Sequence, residues 1–334
     1  MHLMTLPLHD TVGHILCHNL PTPTGRKAFS KGHMVQPDDL PRLRELGLST
    51  LRVAVLEADD VHEDEAARRL AAAVAGTGLL ASRAHTGRVN LQVAEASTAG
   101  QYAGLLEVDS AALAEINDLD GLTVATLHNH TLVRPKQAVA TIKVIPFAVP
   151  EGALQRAEAV GAAGPVLRVR PLLVRRVGVV LVSSSAAQRR VEAGVYPAIE
   201  GRVHDLGATV VGLRYAGLAE DEVAASIAAL RELAAELIIV AGETSIVDLD
   251  DVTPEGIRQA GGQIEHYGAP VEPGNLLLLA YIPPMNERES PLPVLGAPGC
   301  VRSRSTNIVD MLLPRLMAGE LVRRRDIVAL GHGG

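Results

Sequence analysis

Two short segments collect the residue types that chemistry uses. The first is Gly242-Glu243-Thr244-Ser245-Ile246-Val247-Asp248-Leu249-Asp250-Asp251. A glycine there lets backbone N–H groups approach an anion, and Thr244 and Ser245 add hydroxyl donors. Asp248, Asp250 and Asp251 supply the hard oxygens that Mg2+ takes alongside substrate phosphates. The same pattern also suits a strand-to-helix loop with acidic capping, because Thr253-Pro254-Glu255 opens a helix. The second segment runs Gly296-Ala297-Pro298-Gly299-Cys300-Val301-Arg302-Ser303-Arg304-Ser305-Thr306-Asn307. Glycines, two arginines and several hydroxyls ahead of a helix are what an oxyanion site needs. A solvated helix start with basic neighbours would look the same. Between the two segments, Glu272-Pro273-Gly274-Asn275 reads as a tight turn.

Elements must hold these loops in place. Val177 to Val182 is an unbroken apolar run and reads as a buried strand. A helix is expected from about Arg189 to Leu206, then a strand from Thr209 to Leu213. A second helix spans Ala219 to Ala235, with Val223, Ile227, Leu230 and Ala234 on one face, and the strand Leu237 to Ala241 follows at once. Further strands are read at Leu276 to Ala280 and Pro293 to Leu295, and a helix at Ile308 to Met317. Strands alternating with helices imply right-handed crossovers and a parallel sheet covered on both faces. Ligands of such sheets bind at the carboxyl ends of the strands, where both segments fall.

Upstream, the character differs. A mixed α/β unit is expected over 1–85, including a strand at Leu51 to Leu56 and a helix at His62 to Ala75. A β-rich module follows over 86–150, then a linker or helix from Glu151 to Ala163. The α/β/α domain with a mostly parallel sheet occupies 165–334. The fold class is therefore α/β.

Composition narrows the function. The 334 residues are 47% hydrophobic, with 31 Lys+Arg against 38 Asp+Glu and a formal charge of −7. Such a chain builds sizeable cores and has no excess of positive charge for nucleic acid or an anionic membrane. With two Phe, five Tyr and no Trp, base-stacking platforms are all but excluded. The two cysteines, Cys17 and Cys300, make no disulfide framework and fit a reducing cytoplasm. No signal peptide is read at the start, and Leu276 to Ile282 is too short to span a bilayer. A soluble cytoplasmic protein is expected.

Smaller signals read blandly. His14 and His18 could share a helix face, but Gly13 weakens that helix and no third ligand appears, so surface histidines are expected. His128-Asn129-His130 reads as a turn. Cys300 borders the second segment, where Arg302 and the helix start would lower its pKa. It has no partner base and is read as lining. Arg323-Arg324-Arg325 reads as a solvated edge.

Taken together, Gly-x-Thr-Ser-x-x-Asp-x-Asp, then Pro-Gly before a strand, then Gly-x-Pro-Gly before a helix resembles the molybdopterin-binding domain of molybdenum-cofactor biosynthesis. The spacing from Gly242 to Asp250 is closer to the molybdopterin molybdotransferase branch (MoeA and the gephyrin E domain) than to the adenylyltransferase branch. Asp251-Val252-Thr253-Pro254-Glu255 echoes the latter. The resemblance covers Val177 to about Gly319 and is weaker at Lys31-Gly32-His33 and His62-Glu63-Asp64-Glu65-Ala66-Ala67.

The resemblance implies that adenylylated molybdopterin is hydrolysed with Mg2+ while molybdate is inserted. Asp248 and Asp250 would place metal and phosphate. Gly242, Glu243, Thr244, Ser245, Ser183 and Ser184 would lie against the pterin or its phosphate. Pro273, Gly274, Gly296, Pro298, Gly299, Arg302, Ser303 and Arg304 would form the rest of the pocket. Relatives imply a homo-oligomer and a molybdoenzyme or other cofactor-synthesis protein as partner. Departures stand out: Glu243 and Val247 replace glycines, Ser183-Ser184-Ser185-Ala186 replaces a Thr-Gly-Asp-Glu-type segment, and Cys300-Val301 replaces Asn-Pro. No counterpart of the transferases' C-terminal β domain is read after Gly319. These changes spare binding more than catalysis, so a non-catalytic carrier of the pterin is the alternative. A nucleotide-pyrophosphate hydrolase on the same fold is a third reading.

Overall fold

In a computed structural model, the described residues are 1–95, 101–145, 147–284, 286 and 290–332. They divide into two compact units. One comprises Met1–Ala94, Leu106–Thr131 and Pro135–Val169; the other comprises Glu95–Leu105, Leu132–Arg134 and Arg170–Gly334.

In the first unit, strand His2–Pro7 pairs antiparallel with Thr50–Val55, which also pairs with Ile15–Leu16. A four-stranded antiparallel sheet runs in the order Leu122–Thr126, Ala138–Val144, Arg88–Val93, Leu79–Ala81. Helix Glu63–Val74 starts with acidic residues that suit its positive end, and it buries Ala66, Ala67, Leu70 and Val74. It packs on helix Glu151–Ala163. Arg69 bridges the two helices, with 2.8 Å bonds to both Glu151 and Glu158. A further helix, Ser110–Asn117, lies within the stretch expected to be β-rich. Asp109 caps it by accepting from the Ala111 and Ala112 N–H groups.

The second unit carries the α/β fold, with a mostly parallel sheet. Its elements are β1 (Arg176–Val182), α1 (Gln188–Asp205), β2 (Thr209–Ala216), α2 (Glu220–Glu232) and β3 (Leu237–Gly242). There follow α3 (Val252–Gln259), β4 (Gln263–Tyr267), β5 (Leu278–Ile282), β6 (Leu292–Gly296) and α4 (Ile308–Met317). The sheet order is β2-β1-β3-β6-β5-β4. The first four strands are parallel; β5 runs antiparallel to both its neighbours. The sheet is thus mostly parallel.

Side chains alternate along β1, so one strand feeds two cores. Val177, Val179 and Leu181 join a cluster with Val191, Val195, Ile199, Val203, Ile308 and Leu312 from α1 and α4. Val180 and Val182 join Val223, Ile227, Leu230 and Ile257 from α2 and α3. Helices therefore cover both faces, as a buried parallel sheet requires. Gly178 and Gly212 are register partners on neighbouring strands. A Cβ on either would lie 2.8 or 2.7 Å from a Leu230 methyl. The glycine pair makes the hollow in which α2 seats Leu230.

Candidate functional site

Because β1, β3 and β6 are adjacent and parallel, the loops after them emerge on one edge of the sheet. Ser183 and Ser184 follow β1, Gly242 to Asp251 follow β3, and Gly296 to Asn307 lead from β6 to α4. The two segments singled out in the sequence, more than fifty positions apart, are thereby brought together.

They touch directly. The Gly299 N–H donates to Ser245 Oγ at 3.2 Å. A Cβ on Gly299 would lie 2.8 Å from that oxygen, so the close approach needs a glycine. With its oxygen accepting, the Ser245 hydroxyl keeps its proton to donate elsewhere. Thr244 is exposed beside it.

The β3 loop is shaped by Asp251. Its Oδ2 accepts the Val247 and Asp248 N–H groups at 2.6 and 3.0 Å. The Asp250 N–H donates to Asp248 Oδ1 at 3.0 Å. Tyr267 adds a 2.9 Å bond from its hydroxyl to the Ile246 carbonyl. Burial, and then the charges of Asp251 and Asp248, push the Tyr267 pKa up, so it stays a donor. Asp248 and Asp250 are left exposed at the tip. Among the described residues, no three His, Cys, Asp or Glu converge as a metal set. Two exposed carboxylates are nonetheless a donor set that suits Mg2+ bound mainly through ligand phosphate.

Glu243 has a different role. Its N–H donates to the Val182 carbonyl at 2.8 Å, tying the β3 end to the β1 end. Its Oε2 accepts from the Ser184 N–H at 3.2 Å and the Ser184 hydroxyl at 3.0 Å. Its Oε1 accepts from Arg190 at 2.7 Å. Ser183 is buried, and its N–H donates to Ala216 at the end of β2.

The β6 loop is held from behind by Arg202 of α1, which is only 5% exposed. Its guanidinium donates to the carbonyls of Val301, Ser303 and Ser305 at 2.9, 2.7 and 3.3 Å. It also forks onto Asp310 in the first turn of α4. Asn307 and Asp310 form a capping box at the start of that helix. One buried cation thus fixes the curvature of the whole loop.

Residues 178–318 match the family model described as "Probable molybdopterin binding domain". That match lies within the second unit and spans less than half of the chain. Residues 5–55 match a second model, a domain of unknown function. Among solved structures, the chain is similar to the tungsten cofactor synthesizing protein MoaB from Pyrococcus furiosus. Identity there is 17%, over 44% of this chain and 92% of that chain, with a TM-score of 0.33. It is also similar to the molybdopterin biosynthesis moea protein from Pyrococcus horikosii. That match has 12% identity, covers 95% of this chain and 75% of that one, and has a TM-score of 0.32. No curated protein matches. The assignment rests on the family model.

Within the matched residues, the expected pocket residues separate into three groups. Gly242, Thr244, Ser245, Asp248, Asp250, Gly296, Pro298 and Gly299 lie on the two contacting loops. Pro273 and Gly274 instead brace α4: the Ile308 N–H donates to the Pro273 carbonyl, and Gly274 packs against the Ile308 side chain. Arg302 is exposed, whereas Arg304 is drawn back to α1, where it pairs with Asp205 and reaches the Ala198 carbonyl. Ser303 spends its carbonyl on Arg202 and accepts the Ser305 N–H with Oγ.

Cys300 departs from the idea of a lowered thiol pKa. Burial pushes it up, Glu272 adds to that, and the opposing cation is Arg202 rather than Arg302. It lines the loop as a neutral thiol. His14 lies outside any helix, and His128-Asn129-His130 lies in irregular and turn structure after strand Leu122–Thr126. Arg323 and Arg324 are anchored to Glu265. Among the described residues, no helix is long and apolar enough to cross a membrane.

Proposed function

We propose that the molybdopterin-binding domain holds molybdopterin or its adenylylated form at the carboxyl ends of β1, β3 and β6. In this reading the protein serves molybdenum-cofactor biosynthesis by inserting molybdate. The observation that carries the reading is the Gly299-to-Ser245 hydrogen bond, which joins the two oxyanion-type loops into one wall. The Thr244 and Ser245 hydroxyls on that wall suit the phosphate of the ligand. Asp248 and Asp250 would hold Mg2+ together with that phosphate, and the metal would supply charge neutralisation at the phosphoanhydride. The chain's own part is to orient the ligand through Thr244, Ser245 and the Gly299 loop.

A second reading, a carrier that binds the pterin without turning it over, is favoured by Glu243. That carboxylate faces the β1 end, where it is bonded to Ser184 and Arg190. Titrating the full chain with molybdopterin and with its adenylylated form plus Mg2+, then adding molybdate, separates the two. AMP release that Asp250→Ala abolishes supports insertion. Tight binding without AMP release supports the carrier, and no binding of either pterin form refutes both.

A further inference from the structure

Glu243 is an anion already seated among anion donors. Its two oxygens take a backbone N–H, a hydroxyl and a guanidinium from Ser184 and Arg190. Carboxylate and phosphate oxygens are read by such donors in the same way. The location is the end of a central parallel strand, where ligands of this sheet type bind. The side chain is also directed there by the backbone, since the Glu243 N–H is fixed to the Val182 carbonyl. Only 24% of the Glu243 side chain is exposed, while that of Arg190 is 76% exposed. The carboxylate is thus largely shielded, while its guanidinium partner lies at the surface.

We propose that Glu243 is a built-in occupant of an oxyanion cradle formed by Ser184 and Arg190, and that it excludes ligand phosphate from the β1 end of the site. A phosphate or pyrophosphate group entering there must displace the carboxylate and also meet its charge. Glu243 is therefore a specificity-determining residue. It confines the ligand's phosphate to the β3 and β6 loops and keeps the cradle for itself. The inference rests on the reading that the strand ends are the ligand site, and not on the ligand's being a pterin.

Inorganic pyrophosphate is the probe, titrated into the full chain at low ionic strength, where charge effects are least screened. Glu243→Ala is expected to bind it at least about tenfold more tightly than the unaltered chain, and Glu243→Gln to gain in the same direction. The gain should vanish in Glu243→Ala/Arg190→Ala. Asp221→Asn removes an equal charge from an exposed helix start and should leave affinity unchanged. The proposal is overturned if neither Glu243 variant gains, if the gain survives loss of Arg190, or if Asp221→Asn gains as much. Should Glu243→Ala fail to fold, the isosteric Glu243→Gln carries the same comparison. Molybdopterin binding is read separately. A chain that gains pyrophosphate affinity but takes no pterin sinks the functional reading and keeps this one.

Discussion

Arg202 and Asp310 are joined by two parallel bonds, Nε to Oδ1 at 2.8 Å and Nη2 to Oδ2 at 3.1 Å. The pair links α1 to the first turn of α4, and the other guanidinium hydrogens reach the Val301, Ser303 and Ser305 carbonyls of the loop between β6 and α4 and the Ala198 carbonyl of α1 itself. Such a fork fixes geometry as well as charge. Removing Asp310 would leave a buried cation with carbonyls alone.

Asp310→Ala is therefore expected to cost about 3 kcal/mol of stability, the lower part of the range for breaking a buried pair, because Asp310 itself is partly exposed. Arg202→Lys should not rescue the loop, since an ammonium cannot reproduce the fork. Urea unfolding of both variants is the check. A change under about 0.5 kcal/mol in each would show that the loop does not depend on this pair.

Gly178 and Gly212 predict a packing coupling. Gly178→Ala should cost about 1–3 kcal/mol by overpacking against Leu230. In the Leu230→Ala background the same change should cost far less. A double-mutant cycle on unfolding free energies measures this, and additive costs would contradict the shared hollow.

Asp251 organises the β3 loop from within. Asp251→Ala leaves the Val247 and Asp248 N–H groups without their acceptor. A loss of about 1 kcal/mol is expected, with weaker pterin binding through a loosened loop. Asp251→Asn keeps an acceptor oxygen and should recover most of both. Equal losses in the two variants would place the role of Asp251 in its charge instead.

Cys300 gives a pH prediction. Its folded-state pKa is raised by burial, so the folded chain favours the protonated thiol. Its stabilising share is complete below the ordinary thiol value of 9.0 and is lost as pH rises through the higher folded value. Iodoacetamide labelling followed by peptide mapping should show Cys300 reacting more slowly than a free thiol at about pH 8. Its rate should climb only at higher pH. Fast labelling at neutral pH would mean a lowered pKa.

Much of the domain was legible because its signals are local. The apolar run of β1, the face carrying Val223, Ile227 and Leu230, and the start and stop of α4 follow from short-range pattern. That the two candidate loops meet followed from the parallel sheet alone, since strand ends share an edge. What escaped was long-range. Arg202 carries no local mark of its role: Asp310 and the three loop carbonyls that it binds lie about a hundred positions away. Arg304 reads as an anion ligand until Asp205, nearly a hundred positions away, claims it. Strand β5 begins at Leu278 rather than Leu276, because Asn275 and Leu276 are taken up by a turn. The helix Ser110–Asn117 did have a local mark, the Asp109-Ser110 cap, beneath a run otherwise rich in β-prone residues.

The most direct test of the account is molybdopterin titration of the full chain beside Gly299→Val. The unaltered chain should bind saturably, and the variant should fold as judged by circular dichroism yet lose at least about tenfold in affinity. That loss would follow from the side chain separating the Gly299 loop from Ser245. An unaltered chain that fails to bind, or a folded variant that binds equally well, would contradict a pterin site built where these two loops meet.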